Sequence, residues 1–364
     1  MTSCSNHGRR GASLHGELGV VTLMFALLLP VLLGFGAFAI DYPYLLLTRT
    51  QMQTAADAAA MAGGRYLGEG GVPNWATATA QAQAMLANNK VDGKVITQAT
   101  IQTGYWDTSG NQMGLQLLPM TPTKTDVPAI RVSISRSSGQ NSGEIKTMFA
   151  NFLGIASLPV SVSAVAARAG PSTIGANVLF PLAMPQCMYD TYWNASTSPP
   201  GPKIDPSTKK VYVFQFGSTT YTGCNISGNK FPAGAWAGAT SSETSSSKLQ
   251  SLVTDRIGRS MSIGDKVFIN PGNFGNPLYN AVNNCSAAAA VAKQTCRYVS
   301  VAIFANNATT GYNPITGFAC IEILSAVGGS SKYVQASMST QCPTPPSSGI
   351  GPSYGVTTPP KLFM

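Results

Sequence analysis

A chain of 364 residues carrying 23 bases against 14 acids has a formal charge of +9, yet only 10% of its residues are charged, where a soluble domain has about 25%. The bases are scattered rather than clustered, which argues against a nucleic-acid partner and leaves only a general preference for anionic surfaces. Both histidines, His7 and His15, lie near the N-terminus, so Ser-His-Asp or Cys-His hydrolysis and histidine-held metals are excluded from the rest of the chain.

Leu18 to Ile40 reads LGVVTLMFALLLPVLLGFGAFAI, without a charge. As a helix this run covers roughly 35 Å, enough to cross a hydrocarbon core of about 30 Å with some tilt. Arg9 and Arg10 precede it with Glu17 as the one acid, while Asp41 follows it and no base appears until Arg49. That bias keeps residues 1–17 in the cytoplasm and exports everything after residue 41. Pro30 removes one backbone hydrogen bond, which a membrane helix tolerates. A cleaved signal peptide is the rival reading, because Ala37-Phe38-Ala39 has the small-x-small form of a cleavage site. The apolar core exceeds the ~7–15 residues of a signal sequence, which favours a retained anchor.

Tyr44 to Leu67 follows as a helix in which Met52, Ala55, Ala56, Ala59, Ala62 and Tyr66 recur at helical spacing. Alanine is the strongest helix former, and small residues permit close approach of another backbone. This face packs on the chain's own first domain or on neighbouring subunits, and periodicity alone favours the former. Gly63-Gly64, Gly68, Gly70 and Gly71 end the helix. A second helix is expected over Asn74–Asn89, strands over Ala99–Trp106 and Ala129–Ser135, a short helix over Glu144–Leu153, and an alternating strand over Pro159–Ala167. Together, residues 41–169 read as a small α+β unit.

Gly170-Pro171-Ser172-Thr173 reads as a linker to a β-rich domain over residues 177–342. Its strands are expected at Lys210–Phe216, Lys266–Asn270, Tyr298–Phe304, Phe318–Leu324 and Tyr333–Met338, the last two joined by a turn at Gly328-Gly329-Ser330. Leu249, Leu252, Val253 and Ile257 form one stripe of a helix over Ser245–Arg259. Residues 343–364, rich in Pro, Gly and Ser, read as an extended tail with little structure of its own.

Cys4 precedes the span, and Cys187, Cys224, Cys285, Cys296, Cys320 and Cys342 all lie in the second half. An even number in an oxidising compartment points to three disulfides, of which Cys285–Cys296 is the nearest pair in sequence. The spacings are not those of a zinc site. Ser207 with Lys210 and Ser245 with Lys248 match SxxK, an arrangement expected by chance in so serine-rich a chain. The exported acids are spread thinly and offer no evident catalytic pair. No enzymatic activity and no cofactor are expected.

Taken together, the basic N-terminus, the span with its central Pro30, Asp41 at the outer end and Met52-Gln53-Thr54-Ala55-Ala56-Asp57-Ala58-Ala59-Ala60 resemble the N-terminal region of TadE/TadG-like proteins of the Tad (tight adherence) pilus assembly family. The resemblance covers residues 16–65 and fits the TadG-like type best, because a large region follows. The Asp-x-Ser-x-Ser metal motif of von Willebrand A domains, present in many such proteins, is missing from the exported region. Nor is there an intact prepilin cleavage site: with Glu17 as fifth mature residue the cut would follow Ala12, where a glycine is required.

The resemblance implies a structural, non-enzymatic component of a Tad-type (Flp) pilus assembly or secretion apparatus. It would sit as a single-pass protein in the bacterial inner membrane, with the bilayer and other Tad subunits as partners and the C-terminal region in the periplasm. The alternative is an anchored adhesion module that binds a glycan or surface polymer through Tyr189, Tyr192, Trp193, Tyr221 and Trp236, although core packing accounts for these rings as well.

Overall fold

The computed structural model of the chain describes residues 17–68, 73–123, 125–194, 197, 201–217, 222–226, 229–232, 235–272, 274–305 and 310–363. The apolar run forms α1 (Glu17–Gly36), which passes through a widened π-turn (Ala37–Asp41) into α2 (Tyr42–Gly64) and a final 3-10 turn (Arg65–Leu67). Pro30 is carried inside α1. Pro43 accounts for the widened turn. It has no N–H to give to Ala39, and its ring would strike that carbonyl in a regular α-turn. The chain instead bonds the Tyr42 N–H to the Ala37 carbonyl, one residue further back than an α-helix would. Around α1 the apolar side chains Val20, Leu23, Phe25, Leu27, Leu32 and Phe35 are exposed. A helix apolar all round calls for a nonaqueous surrounding.

The chain forms two compact units, one of residues 1–55, 87–99 and 134–162, the other of residues 56–86, 100–133 and 163–364. In the first, Lys90–Val91 and Lys94–Val95 make a tight hairpin. Asp92 and Gly93 both take positive φ there, as its two-residue turn requires. Met52, Val91, Ile96, Ile134 and Ile145 are buried in this unit. Arg136 pairs with Asp92 at 3.4 Å, and the Asp92 N–H donates to the Gln51 side chain at 2.9 Å. A second hairpin joins Ile145–Lys146 to Ser157–Leu158. Between its strands the helix expected over 144–153 shrinks to one 3-10 turn, Ala150–Leu153.

In the second unit, α3 (Trp75–Ala87) turns its buried Ala78, Ala82 and Leu86 inward. Gly63 of α2 lies so close that a Cβ there would come within 2.7 Å of the Ala78 carbonyl oxygen and of Ile130. The adjacent five-stranded sheet has the order 361–363, 160–167, 126–136, 100–107, 115–117. Its first strand is supplied by the tail. Lys361–Phe363 pairs with Val165–Ala167, Ser347–Ser348 pairs with Thr173–Ile174, and Tyr354, Val356 and Thr358 are buried. The tail expected to lack structure is thus woven through this unit. Its prolines fit because most of its backbone bonds are single attachments rather than a ladder.

A larger sheet closes on itself. Leu179–Pro185, Ala235–Gly238, Lys266–Asn270, Gly311–Val327 and Tyr298–Phe304 follow one another, and the last pairs back to Leu179–Pro185 in parallel. The long strand Gly311–Val327 outruns this ring and carries Tyr333–Met338 and Val213–Phe216 beyond it. Alternate residues feed two clusters. Ala183, Ala235, Ala237, Val267, Ile269 and Ala302 belong to one, rich in small side chains. Leu182, Trp236, Val301 and Ile321 belong to the other, with residues of the helices Gln186–Tyr192, Ser246–Asp255 and Asn276–Asn283. The whole is α+β, as expected: a long N-terminal helix followed by strand-rich sheets held by disulfides.

Candidate functional site

The π-turn that follows α1 ends at an acid that has a structural task. Asp41 closes the π-turn, and its carboxylate accepts the backbone N–H groups of Met148 at 2.8 Å, Phe149 at 2.9 Å and Ala150 at 2.7 Å. Those donors lead into a 3-10 turn and would otherwise have no partner within it. An ionised acceptor makes such bonds shorter and stronger than neutral ones. One side chain at the end of the apolar run therefore fixes a loop 107 to 109 residues away. Gly36 completes the arrangement, since a Cβ there would lie 2.7 Å from the Phe149 ring. The residue type is legible in the sequence. Its partners are not.

The small-residue face of α2 has its partner within the chain. Met52, Ala55, Ala56 and Ala59 are buried, and Ala62 is half-buried. Ala60 and Gly63, absent from the expected stripe, are buried with them.

Among the cysteines, Cys285–Cys296 and Cys320–Cys342 are joined, at Cα separations of 5.0 and 5.7 Å. Cys187 is also disulfide-bonded. Cys4 and the side chain of Cys224 lie outside the described residues. In the first SxxK match the Ser207 hydroxyl donates to Asp205, which this bond and the Ser207 N–H hold below the usual carboxylate range. Ser207 and Lys210 are both exposed, as are Ser245 and Lys248.

The aromatic residues considered as a stacking surface turn inward. Tyr189, Trp193 and Trp236 are buried, Tyr192 is half-buried, and Tyr221 lies outside the described residues. Tyr189 packs on Trp193 and Tyr354, and Trp236 packs on Phe274 and Tyr279. They contribute to the core because each ring covers a large apolar area that the strands leave open. A cleft of about 470 Å³ lies elsewhere and is lined by Ala239, Thr240, Arg259, Asp265, Lys266 and Tyr312.

The span, the π-turn acid and the alanine-rich helix are also where comparison with known families gives a result. A family described as TadE-like protein matches residues 19–61, and one described as Tad-like Flp pilus-assembly matches residues 50–166. The two overlap on the alanine-rich turns of α2. No curated protein and no solved structure matches the chain.

Proposed function

We propose that this chain, a TadE/TadG-like protein of the Tad family over residues 19–166, is a structural, non-enzymatic part of the pilus assembly or secretion apparatus. Helix α1 anchors it in the inner membrane, with the N-terminus cytoplasmic and the region after residue 41 periplasmic. Residues 1–17, 18–40, 41–169, 177–342 and 343–364 serve respectively as cytoplasmic end, span, anchor-proximal region, disulfide-braced body and strap.

The observation that carries this reading is the contrast along one continuous helix. Its first half exposes apolar side chains over most of its surface, whereas from Met52 onward one face of its second half is buried by the chain itself. Because the alanine face is occupied, α1 rather than α2 is the surface through which other membrane subunits make contact, with lipid around the remainder. No histidine lies beyond the span, and the exposed, turn-bound Ser207 supports a scaffold better than a catalyst.

Co-purification tests the proposal. The full chain, extracted from membranes of piliated cells in mild detergent, is expected to bring other Tad subunits with it. A variant whose α1 apolar residues are exchanged for a scrambled apolar sequence is expected to stay in the membrane but lose them. Recovery of the wild-type chain without Tad subunits, from membranes bearing assembled pili, would overturn the assembly role.

A further inference from the structure

We infer that Met148–Ile155 is a second membrane element, a loop that enters the interfacial region of the leaflet from which α1 emerges. This rests on the reading of α1 as a span. The loop reads MFANFLGI, with Asn151 as its single polar side chain. Met148 is 64% exposed, Phe152 72%, Leu153 45% and Ile155 49%. So many large apolar side chains presented to water by adjacent residues require an occupant.

The position of the loop identifies the occupant as lipid. It does not project away from the anchor but packs along it: the Ala150–Leu153 turn contacts α1, and Phe149 lies against Gly36. Leu33, Gly34, Gly36 and Ala37 are half-buried, whereas Leu32, Phe35 and Phe38 on either side are exposed. Gly36 precedes Ile40, the last apolar residue of the run, by about one helical turn, or roughly 6 Å. A loop seated at that level lies within the ~5–10 Å boundary layer occupied by interfacial segments. At the same level Phe38 and Tyr42 stack with ring centroids 5.7 Å apart and are exposed, as aromatic residues of a membrane belt are. Lys146, exposed just before the loop, is placed for headgroup phosphates.

Backbone chemistry adds an independent reason. Irregular backbone enters the apolar layer only if its polar groups are paired. Here the N–H groups of Met148, Phe149 and Ala150 go to Asp41. Those of Thr147, Phe152, Gly154 and Ile155 go to carbonyls of Ala156, Phe149, Asn151 and Ala150. The Thr147 hydroxyl donates to the Ile155 carbonyl. Gly154 adopts φ +89°, the left-handed conformation that closes the turn. The loop thus pairs most of its backbone donors and presents its apolar side chains, the combination that an interfacial segment needs.

Tryptophan fluorescence tests this directly in full-length protein reconstituted into phosphatidylethanolamine–phosphatidylglycerol nanodiscs. Phe152→Trp and, as a second site, Ile155→Trp report on the loop, Phe25→Trp on the span and Ser138→Trp on an exposed turn. Signals are read against the native protein. For the loop variants the added emission is expected to be blue-shifted and at least about twofold weaker when the lipids carry bromine near the headgroup end of their chains. Ser138→Trp is expected to show neither effect. If both loop variants behave like Ser138→Trp while Phe25→Trp is quenched, the loop proposal is overturned, including the case in which another protein covers the loop. If Phe25→Trp is also unquenched, the failure lies with the span. Unchanged hydrogen exchange at the amides of residues 148–150 identifies variants in which the loop remains folded.

Discussion

Replacing Asp41 with alanine is expected to release the 147–155 loop from the end of the anchor while leaving the two compact units folded. The carboxylate accepts three backbone N–H groups. Hydrogen bonds to charged groups contribute about 1.5–3 kcal/mol each. Asp41 is half-exposed, so solvent screening reduces that contribution considerably. A combined loss of about 3 kcal/mol is reasonable, and it corresponds to exchange of the Met148, Phe149 and Ala150 amides roughly 100-fold faster. Asp41→Asn keeps one acceptor oxygen and the same shape but loses the charge, so its acceleration is expected to be nearer tenfold. Hydrogen exchange read by mass spectrometry on the reconstituted protein resolves the three amides from the rest. Unchanged protection in Asp41→Ala would mean that the loop is held by Phe149 and Gly36 alone.

Removing the Cys320–Cys342 disulfide is expected to produce the largest loss in the second unit. Its cysteines are 22 residues apart, for which loop closure gives about 3 kcal/mol. Cys320 is buried in the small-residue cluster of the closed sheet, and Cys342 packs against that cluster. The bridge therefore fastens the start of the tail to the strand Gly311–Val327. Beyond it the tail is attached by Gly351 N–H to Gly170 O, Thr358 N–H to Ala169 O, and the pairing of Lys361–Phe363 with Val165–Ala167. The Arg168 guanidinium adds a bond to the Thr358 carbonyl at 3.1 Å. Alanine at both positions avoids placing a hydroxyl in an apolar cluster. A fall of roughly 6–12 °C in the thermal midpoint is expected for the double variant. Reductant should lower the wild-type midpoint by a comparable amount and leave that of the variant less affected. A midpoint shift below about 2 °C would show that the tail holds its place without the bridge.

How much of this was readable from residues alone varies with the physics of each element. Lys266–Asn270, Tyr298–Phe304 and Tyr333–Met338 were legible because β-branched and aromatic residues run together between turn residues. Leu179–Pro185, which is central to the closed sheet, escaped because LFPLAMP contains two prolines and no alternation. Ala235–Gly238 is too short and too small-sided to announce itself. The helices Gln186–Tyr192 and Asn276–Asn283 are only 7 and 8 residues long, below the length at which helical periodicity is visible. The first half of the long helix could be read in full. Its π-turn could not, since Pro30 is carried within regular helix whereas Pro43 widens the turn before it, and the residue type alone does not separate the two outcomes.

The membrane-exit arrangement shows the same limit more sharply. Asp41 stands out as a charge ending an apolar run, and residues 144–153 read as a short helix. Nothing local joins them. Their meeting depends on a long-range closure, and the same carboxylate that forms it replaces the helical partners of Met148, Phe149 and Ala150. Likewise, helical spacing marks the alanine face of α2 as a packing surface without naming the element that covers it.

The central claim is that α1 carries an otherwise exported, oxidised body across the membrane. Rapid alkylation of intact cells followed by reduction and a second, heavier alkylating label tests it most directly. The account predicts that Cys285, Cys296, Cys320 and Cys342 take only the second label, at full stoichiometry, in protein recovered from the membrane fraction. If these four cysteines take the first label as free thiols, the body lies on the reducing side and the account is contradicted.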